Sequence, residues 1–440
     1  MALTGIQIYK LLPQTNCKEC GFPTCLAFAM KLAAKQVELS ACPYVSEEAK
    51  RQLAESAAPP IRLVSLRSAS QEVKAGNETC LFRHEKTFYN RPGIFLRLRP
   101  NEAGWKETLQ QAAGWKVSYV GVELGLDGFA VEIEDEASAA AVRELRALVA
   151  HPLILIGKDP AALRAALEAL RGETPLLYAA EASNWEAMAD LAKEYRAALT
   201  VRAADLDSLA DLTQKVQARG VEDLVLDLGT SQLGPWLTRS TVVRRMALKN
   251  FRPFGYPVLA WRTEPPSELE APFIAQAIAK YAGFIIVNTF APEMLYPLLV
   301  LRQNIYTDPQ KPIQVQPGLY EINAPKPDSP VLVTTNFSIT YFSVANEVEG
   351  SGLPAWLVVT DAEGMSVLTA WAAGKFDAER IAKAIRTFEV DGKVTRKRLV
   401  IPGHVAVLSG ELEEELPDWE IRVGPREAVD IPAFIRQALN

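Results

Sequence analysis

From about residue 80 to 310, short β-branched and aliphatic runs alternate with Ala/Leu/Glu/Arg-rich stretches at a period of roughly 25 residues. The runs FLRL near 95, FAVEI near 129, LILIG near 153 and LLYAA near 176 read as strands. So do LTVRA near 199, LVLDLG near 224, PVLAW near 257 and FIIVNT near 284. Helix patterns such as DEASAAAVRELRALVA and DPAALRAALEALRG lie between most of them, each opening on an aspartate suited to cap a helix N-terminus. Eight strand–helix units over about 230 residues predict a TIM (β/α)8 barrel, with a doubly wound open sheet as the competing arrangement.

The flanks carry different patterns. Upstream, the one clear helix is CLAFAMKLAAKQVEL, in which Leu26, Ala29, Met30, Ala33 and Val37 recur on one face at helical spacing. ESAAPPI then reads as a linker stiffened by Pro59 and Pro60. Downstream, the proline-rich crossing DPQKPIQVQPGLYEINAPKPDSP at 308–330 precedes a second α/β series. It comprises VLVTTN, a loop, AWLVVTD, a helix around DAERIAKAIRTF, RLVIPG, WEIRVGP and a last helix DIPAFIRQALN. Four strands with intervening helices suit a small flavodoxin/Rossmann-like domain, whose ligands sit outside the carboxyl ends of the strands. The expected division is therefore a Cys-bearing unit at 1–58, a barrel with its linker at 59–310 and an α/β domain at 311–440.

Composition narrows the function. With 49% hydrophobic and 23% charged residues the chain is an ordinary globular protein, and its net charge of -6 argues against nucleic acid as a partner. No apolar run approaches the ~20 residues that span a bilayer. The start, MALTGIQIYKLLPQTN, lacks the basic segment and long apolar run of a signal peptide, so a cytoplasmic location with reduced thiols is expected. Clustered cysteines in that setting point to metal before disulfides.

Four of the five cysteines follow the spacing C-x2-C-x4-C-x16-C: Cys17, Cys20, Cys25 and Cys42, the last followed by proline. A structural zinc site and an iron–sulfur cluster both use such thiols. Zinc knuckles favour paired C-x2-C units, often with histidine, and here the second pair is absent and His84 is distant. Three close ligands plus a remote fourth favour a [4Fe–4S] cluster over zinc. Gly21 permits a tight backbone turn around bulky sulfides. Cys80 stands alone and reads as a buried small apolar residue.

The segment TNCKECGFPTCLAFAMKLAAKQVELSACPYVS, then CLFRHEKTFYN, a barrel, and a terminal domain with GPREA together resemble the large (gamma) subunit of corrinoid iron–sulfur proteins of the reductive acetyl-CoA pathway. The resemblance covers essentially the whole chain. It implies a heterodimer with a small subunit and a methyl-carrying corrinoid. The methyl group comes from methyltetrahydrofolate through a separate methyltransferase and goes to CO dehydrogenase/acetyl-CoA synthase. It also implies that Cys17, Cys20, Cys25 and Cys42 ligate a [4Fe–4S] cluster that reduces oxidised Co(II) to Co(I), and that the domain after 330 binds the corrinoid.

The residues bear on that implication. Many cobalamin carriers supply a histidine from Asp-x-His-x-x-Gly, but His84, His151 and His404 are preceded two positions earlier by Phe82, Val149 and Pro402. The motif is absent, so a base-off corrinoid with no histidine ligand is expected, held by its periphery and nucleotide tail. His404, in the turn IPGHV, reads as a capping or surface residue. Candidate contacts come from three segments taken as loops. NFSITYFSVANEVEGSG supplies Thr340, Ser343 and Asn346 for amide and phosphate groups and Tyr341 and Phe342 as ring platforms, with Gly350 and Gly352 for close approach. LTAWAAGKFDAER supplies Ala370, Trp371, Ala372, Ala373 and Gly374 before a helix N-terminus. GPREAVDIPAF adds Ala433 as a tail contact.

Two other functions compete. A barrel methyltransferase would bind methyltetrahydrofolate itself at strand ends holding Asp227, Thr230, Arg262 and Glu264, although no carboxylate pair or Cys/His nucleophile assembles there in the sequence. A zinc-stabilised interaction module would carry no redox role.

Overall fold

A computed structural model describes residues 4–34, 36–50, 53, 59–83, 85, 88–119, 122–263, 268–307 and 313–438. The chain forms two compact units, Met1–Trp115 with Gly125–Tyr306, and Lys116–Leu124 with Thr307–Asn440.

In the first unit the hairpin of β1 (Val64–Arg67) and β2 (Glu72–Ala75) precedes the first barrel strand, β3 (Gly93–Leu98). The short antiparallel pair β4 (Val117–Tyr119) and β5 (Val122–Leu124) interrupts the barrel sequence and belongs to the second unit. The barrel resumes with β6 (Gly128–Glu132), β7 (Leu153–Ile156), β8 (Leu176–Ala180) and β9 (Ala198–Arg202). It ends with β10 (Leu224–Asp227), β11 (Val258–Trp261) and β12 (Ala282–Val287), which pairs with β3 in parallel to close the ring. All eight expected strands are present, and the barrel prevails over the open sheet.

Side chains alternate along each strand, and the inward set fills the lumen. Phe95, Ala130, Ile154, Leu176, Ala198 and Phe284 share one core with Val64, Leu66 and Ala75 of the hairpin. The hairpin thus belongs to the barrel core, joined also where Arg67 bridges to Thr174 ahead of β8; no strand was expected between the linker ESAAPPI and the barrel pattern that starts near residue 80. Aspartate caps behave as expected. Asp135 accepts from Ser138 N at 2.8 Å and Asp159 from Ala161 N at 3.0 Å.

The N-terminal segment has its own small core. Helices Gly5–Leu11 and Cys25–Ala33 cross where Gly5 meets Met30, so closely that a Cβ at Gly5 would lie 2.3 Å from Met30 Sδ. The expected helical face is displaced by about one residue. Cys25, Phe28 and Ala29 point inward, whereas Leu26 and Met30 are 41% and 49% exposed. The stripe beginning at Cys25 wins because it buries an aromatic ring and two thiols together. The helix also stops at Ala33, earlier than its apolar pattern suggests.

The second unit holds a five-stranded sheet: β13 (Gly318–Ile322), β14 (Val331–Thr335), β15 (Ala355–Thr360), β16 (Arg398–Ile401) and β17 (Glu420–Val423). Its order is β13-β15-β14-β16-β17, with β13 antiparallel at the edge and the other four parallel. Edge strand β13 lies in the stretch expected to be a proline-rich crossing. Alternation along β14 sends Val331 and Val333 to one core and Leu332 to another, so both faces are covered, as in doubly wound folds.

The segment expected as a loop after β14 is instead the helix Ser338–Ser351. Tyr341, Val344, Ala345 and Val348 recur at helical spacing and pack on the Leu332 face of the sheet. Gly352, at φ 69°, ends that helix in the left-handed conformation.

Candidate functional site

The cysteine loop joins the two N-terminal helices. Gln14, Asn16, Lys18 and Gly21 have φ of 57°, 49°, 66° and 82°, and backbone of this kind turns N–H groups into concavities that suit anions and the sulfides of iron–sulfur sites. A Cβ at Gly21 would meet nothing within 4 Å, so its positive φ, and not lack of space, calls for glycine. Asn16 Oδ1 accepts the Cys25 N–H at 2.8 Å, and Tyr44 OH donates to Glu19 at 2.8 Å, tying the Cys42 segment to the Cys20 segment. Cys25 and Cys42 are buried in one core, Cys20 packs partly against it, and Cys17 is exposed. Among the described residues no three His, Cys, Asp or Glu side chains stand close enough to hold a metal ion. The donor set is nonetheless four thiols, Cys17 and Cys20 on the loop, Cys25 opening the helix Cys25–Ala33 and Cys42 just past the short turn Leu39–Ala41; three close ligands with a remote fourth are the pattern of a [4Fe–4S] cluster. Cys80 is buried, as expected.

At the carboxyl end of the barrel the polar side chains pair with one another. Arg97 donates to Glu132 at 2.9 Å and to Asn288 Oδ1 at 3.2 Å, and Trp261 Nε1 donates to the same oxygen at 3.1 Å. Tyr178 OH donates to Asp227 Oδ2 at 2.6 Å, Gly229 N to Asp227 Oδ1 at 2.8 Å, and Arg202 to Glu181 at 2.6 Å. Burial holds the Asp227 carboxyl above the usual carboxylate range and pushes the Tyr178 hydroxyl well up. A cavity of about 210 Å³ opens beside Arg202, Asp227 and Thr230. Arg262 is buried and not on its lining, and Glu264 lies outside the described residues.

The second unit contains a cavity of about 580 Å³. It opens at the carboxyl ends of β14 and β16, where the strand order reverses and ligands of such sheets ordinarily bind. Its floor is Leu332, Thr334 and Val400. One wall is the Ser338–Ser351 helix, through Ile339, Thr340, Ser343, Val344 and Glu347. The other is the Gly424–Val429 turn with Ile431; Ser366, Leu368, Pro402 and His404 complete the rim. The ends of β16 and β17 approach backbone to backbone, Gly403 N donating to Pro425 O at 3.0 Å and Gly424 N to Ile401 O at 2.9 Å. A Cβ at Gly403 would fall 2.6 Å from Gly424 O, so this close approach requires glycine.

Two features suit the cavity to a large ligand. The Thr334 hydroxyl is fully buried with no hydrogen-bond partner, which costs about 1–3 kcal/mol until a ligand satisfies it. Ile339 and Val429 are 66% and 65% exposed on its lining, apolar surface that water covers poorly.

Of the corrinoid contacts expected from sequence, Thr340 and Ser343 line this cavity. Tyr341 is half-buried against the core, its ring tilted to Tyr320 and edge-on to Phe342 with centroids 5.1 Å apart in each pair. Asn346 and Gly350 are exposed outside the lining, Ala370 is buried in the opposite core, and Ala433 is exposed on the last helix. Trp371, Ala372, Ala373 and Gly374 are exposed around the end of the short helix Val367–Ala372. His404 lies on the cavity rim. Thr334, Val344 and Glu347 were missed; strand alternation placing Thr334 beside Leu332, and the helical period of Tyr341–Val348, were the signals that mark them.

Comparisons with known proteins agree with this layout. A family model described as "CO dehydrogenase/acetyl-CoA synthase delta subunit" matches residues 64–435. One described as "Putative Fe-S cluster" matches residues 12–44, which contain Cys17, Cys20, Cys25 and Cys42. The corrinoid/iron-sulfur protein large subunit of Moorella thermoacetica is 44% identical over 100% of both chains. The acetyl-CoA decarbonylase/synthase complex gamma subunit of Archaeoglobus fulgidus is 35% identical over 98% of this chain and 97% of its own. That of Methanopyrus kandleri is 34% identical over 99% and 98%. With a four-thiol segment, a closed barrel and a cavity-bearing α/β unit matched end to end, this chain belongs to the family of corrinoid/iron–sulfur protein large subunits and their archaeal gamma-subunit counterparts.

Proposed function

We propose that this chain is the large subunit of a cytoplasmic methyl carrier, paired with a small subunit, in which the second unit holds a corrinoid and the N-terminal loop a [4Fe–4S] cluster. When bound, the corrinoid supplies a cobalt that takes a methyl group from methyltetrahydrofolate through a separate methyltransferase and passes it to CO dehydrogenase/acetyl-CoA synthase, while the cluster supplies electrons that keep the cobalt reduced. The chain's own residues bind and orient. Cys17, Cys20, Cys25 and Cys42 would hold the cluster, and the left-handed residues of the loop would supply N–H groups to its sulfides. Thr334, Thr340 and Ser343 would offer hydroxyls to the corrinoid, Ile339 and Val429 would give apolar cover, and Ser366 and Leu368 would complete the rim.

The observation that carries this reading is the cavity at the β14/β16 switch point with its buried, unpartnered Thr334 hydroxyl. The family membership supports it. A barrel methyltransferase is disfavoured because Asp227 and Arg202 at the barrel mouth are already committed to Tyr178 and Glu181. We infer a base-off corrinoid with no histidine ligand; since His404 lies on the rim, nitrogen hyperfine splitting in the Co(II) EPR spectrum would contradict that part. The test of the whole is anaerobic purification with the small subunit, followed by metal analysis and an absorption spectrum. About four irons per chain and a corrinoid band are expected; zinc without a chromophore would refute the proposal.

A further inference from the structure

Polar side chains (Thr340, Ser343, Ser366, His404, Arg426 and Glu427) share the cavity lining with apolar ones, and two further polar groups stand among them. Leu332, Val344, Val400 and Ile431 line the cavity, giving opposed flat surfaces that suit the faces of an aromatic heterocycle. Thr334, two positions from Leu332 on the same face of β14, brings in a hydroxyl that has no hydrogen-bond partner. Glu347, half-buried on the Ser338–Ser351 helix, brings in a carboxylate that makes no hydrogen bond or ion pair with another described residue. The two groups have different chemistry. A threonine hydroxyl donates and accepts, whereas an ionised carboxylate only accepts.

We propose that Thr334 and Glu347 select the lower base of the corrinoid, favouring a base that carries a hydrogen-bond donor, such as a hydroxybenzimidazole or an adenine, over dimethylbenzimidazole. This rests on the corrinoid reading above. A base released from cobalt leaves a ring nitrogen whose lone pair can accept from Thr334, a contact available to every base. Glu347 discriminates: an O–H or N–H on the base satisfies it, whereas a methyl group desolvates the carboxylate and returns nothing. Sites built to hydrogen-bond a polar group reject analogues that lack it far more strongly than apolar pockets reject an extra methyl.

The experiment titrates the corrinoid-free heterodimer with three cobamides, bearing dimethylbenzimidazole, 5-hydroxybenzimidazole and adenine, and reads affinity from tryptophan fluorescence quenching and the base-off absorption change. At least tenfold tighter binding of the hydroxylated and adenine forms is expected in the native protein. Glu347→Leu should narrow that preference to within about threefold, and Thr334→Val should weaken all three by similar factors. Equal affinities in the native protein, or an undiminished preference in Glu347→Leu, would overturn the inference while leaving the corrinoid reading intact. Failure of all three to bind would instead strike the corrinoid reading, and the inference with it.

Discussion

The barrel and the terminal sheet both end in parallel strands whose carboxyl edges are the usual address for ligands, yet they use their polar groups in opposite ways. Around the barrel mouth, Arg97, Glu132, Tyr178, Asp227, Arg202 and Glu181 are bound to one another. In the terminal cavity, a buried threonine hydroxyl has no hydrogen bond and a carboxylate has no partner among the described residues. Buried polar groups that satisfy each other stabilise a scaffold; those left unsatisfied mark where something else is meant to bind. Fold alone would give these two sites equal standing; a buried hydroxyl without a hydrogen bond also occurs in the barrel, at Thr200, so what separates them is the mutual pairing of the charged groups at the barrel mouth.

Filling the cavity should have the largest effect. Ser343→Trp places an indole on the cavity wall from an exposed helix position, so corrinoid affinity, followed by equilibrium titration, should fall at least about a hundredfold with little change in melting temperature. Cys20→Ala should strip the iron, read by metal analysis and loss of the cluster's visible absorption, while corrinoid content stays within about twofold of native. Loss of both together would mean that the two sites are not independent.

The barrel should respond in stability alone. Tyr178→Phe leaves the buried Asp227 carboxyl without its hydroxyl donor, a loss of about 1–3 kcal/mol by chemical denaturation. Corrinoid affinity should not move; a tenfold drop would place ligand binding at the barrel and reverse the contrast. The smallest effect concerns pH. Burial pushes the His151 imidazole below its ordinary value, Asp127 opposing the shift and Arg146 adding to it. The folded state therefore takes up fewer protons there than the unfolded state. Its contribution is intact above about pH 6.5 and is lost as pH falls through the lowered folded value. Between about pH 6.5 and 5 the native melting temperature should decline more steeply than that of His151→Gln, compared by calorimetry in matched buffers.

The barrel was legible in the sequence because strand runs, amphipathic helices and the Asp135 and Asp159 caps all repeat one message. The four-cysteine segment was legible from spacing, and the iron–sulfur family model covers it. What escaped had physical reasons. Serines, threonines and glycines made 338–351 look like a loop, because the helix shows its apolar stripe to the sheet yet leaves Ile339 exposed at the cavity. Leu26 and Met30 looked like core because two adjacent stripes of that helix are apolar, and spacing does not tell which one meets the aromatic partner. Thr334 sits in a run of β-forming residues where threonine needs no explanation; Thr335 beside it also lacks a side-chain hydrogen bond, and only the cavity lining sets Thr334 apart.

The most direct test locates the cobalt. Anomalous diffraction at the cobalt edge, on crystals of the corrinoid-loaded heterodimer grown without oxygen, should show a cobalt peak outside the carboxyl ends of β14 and β16, beside Ser366 and Pro402. A cobalt peak at the barrel mouth, near Arg202 and Asp227, would contradict the account.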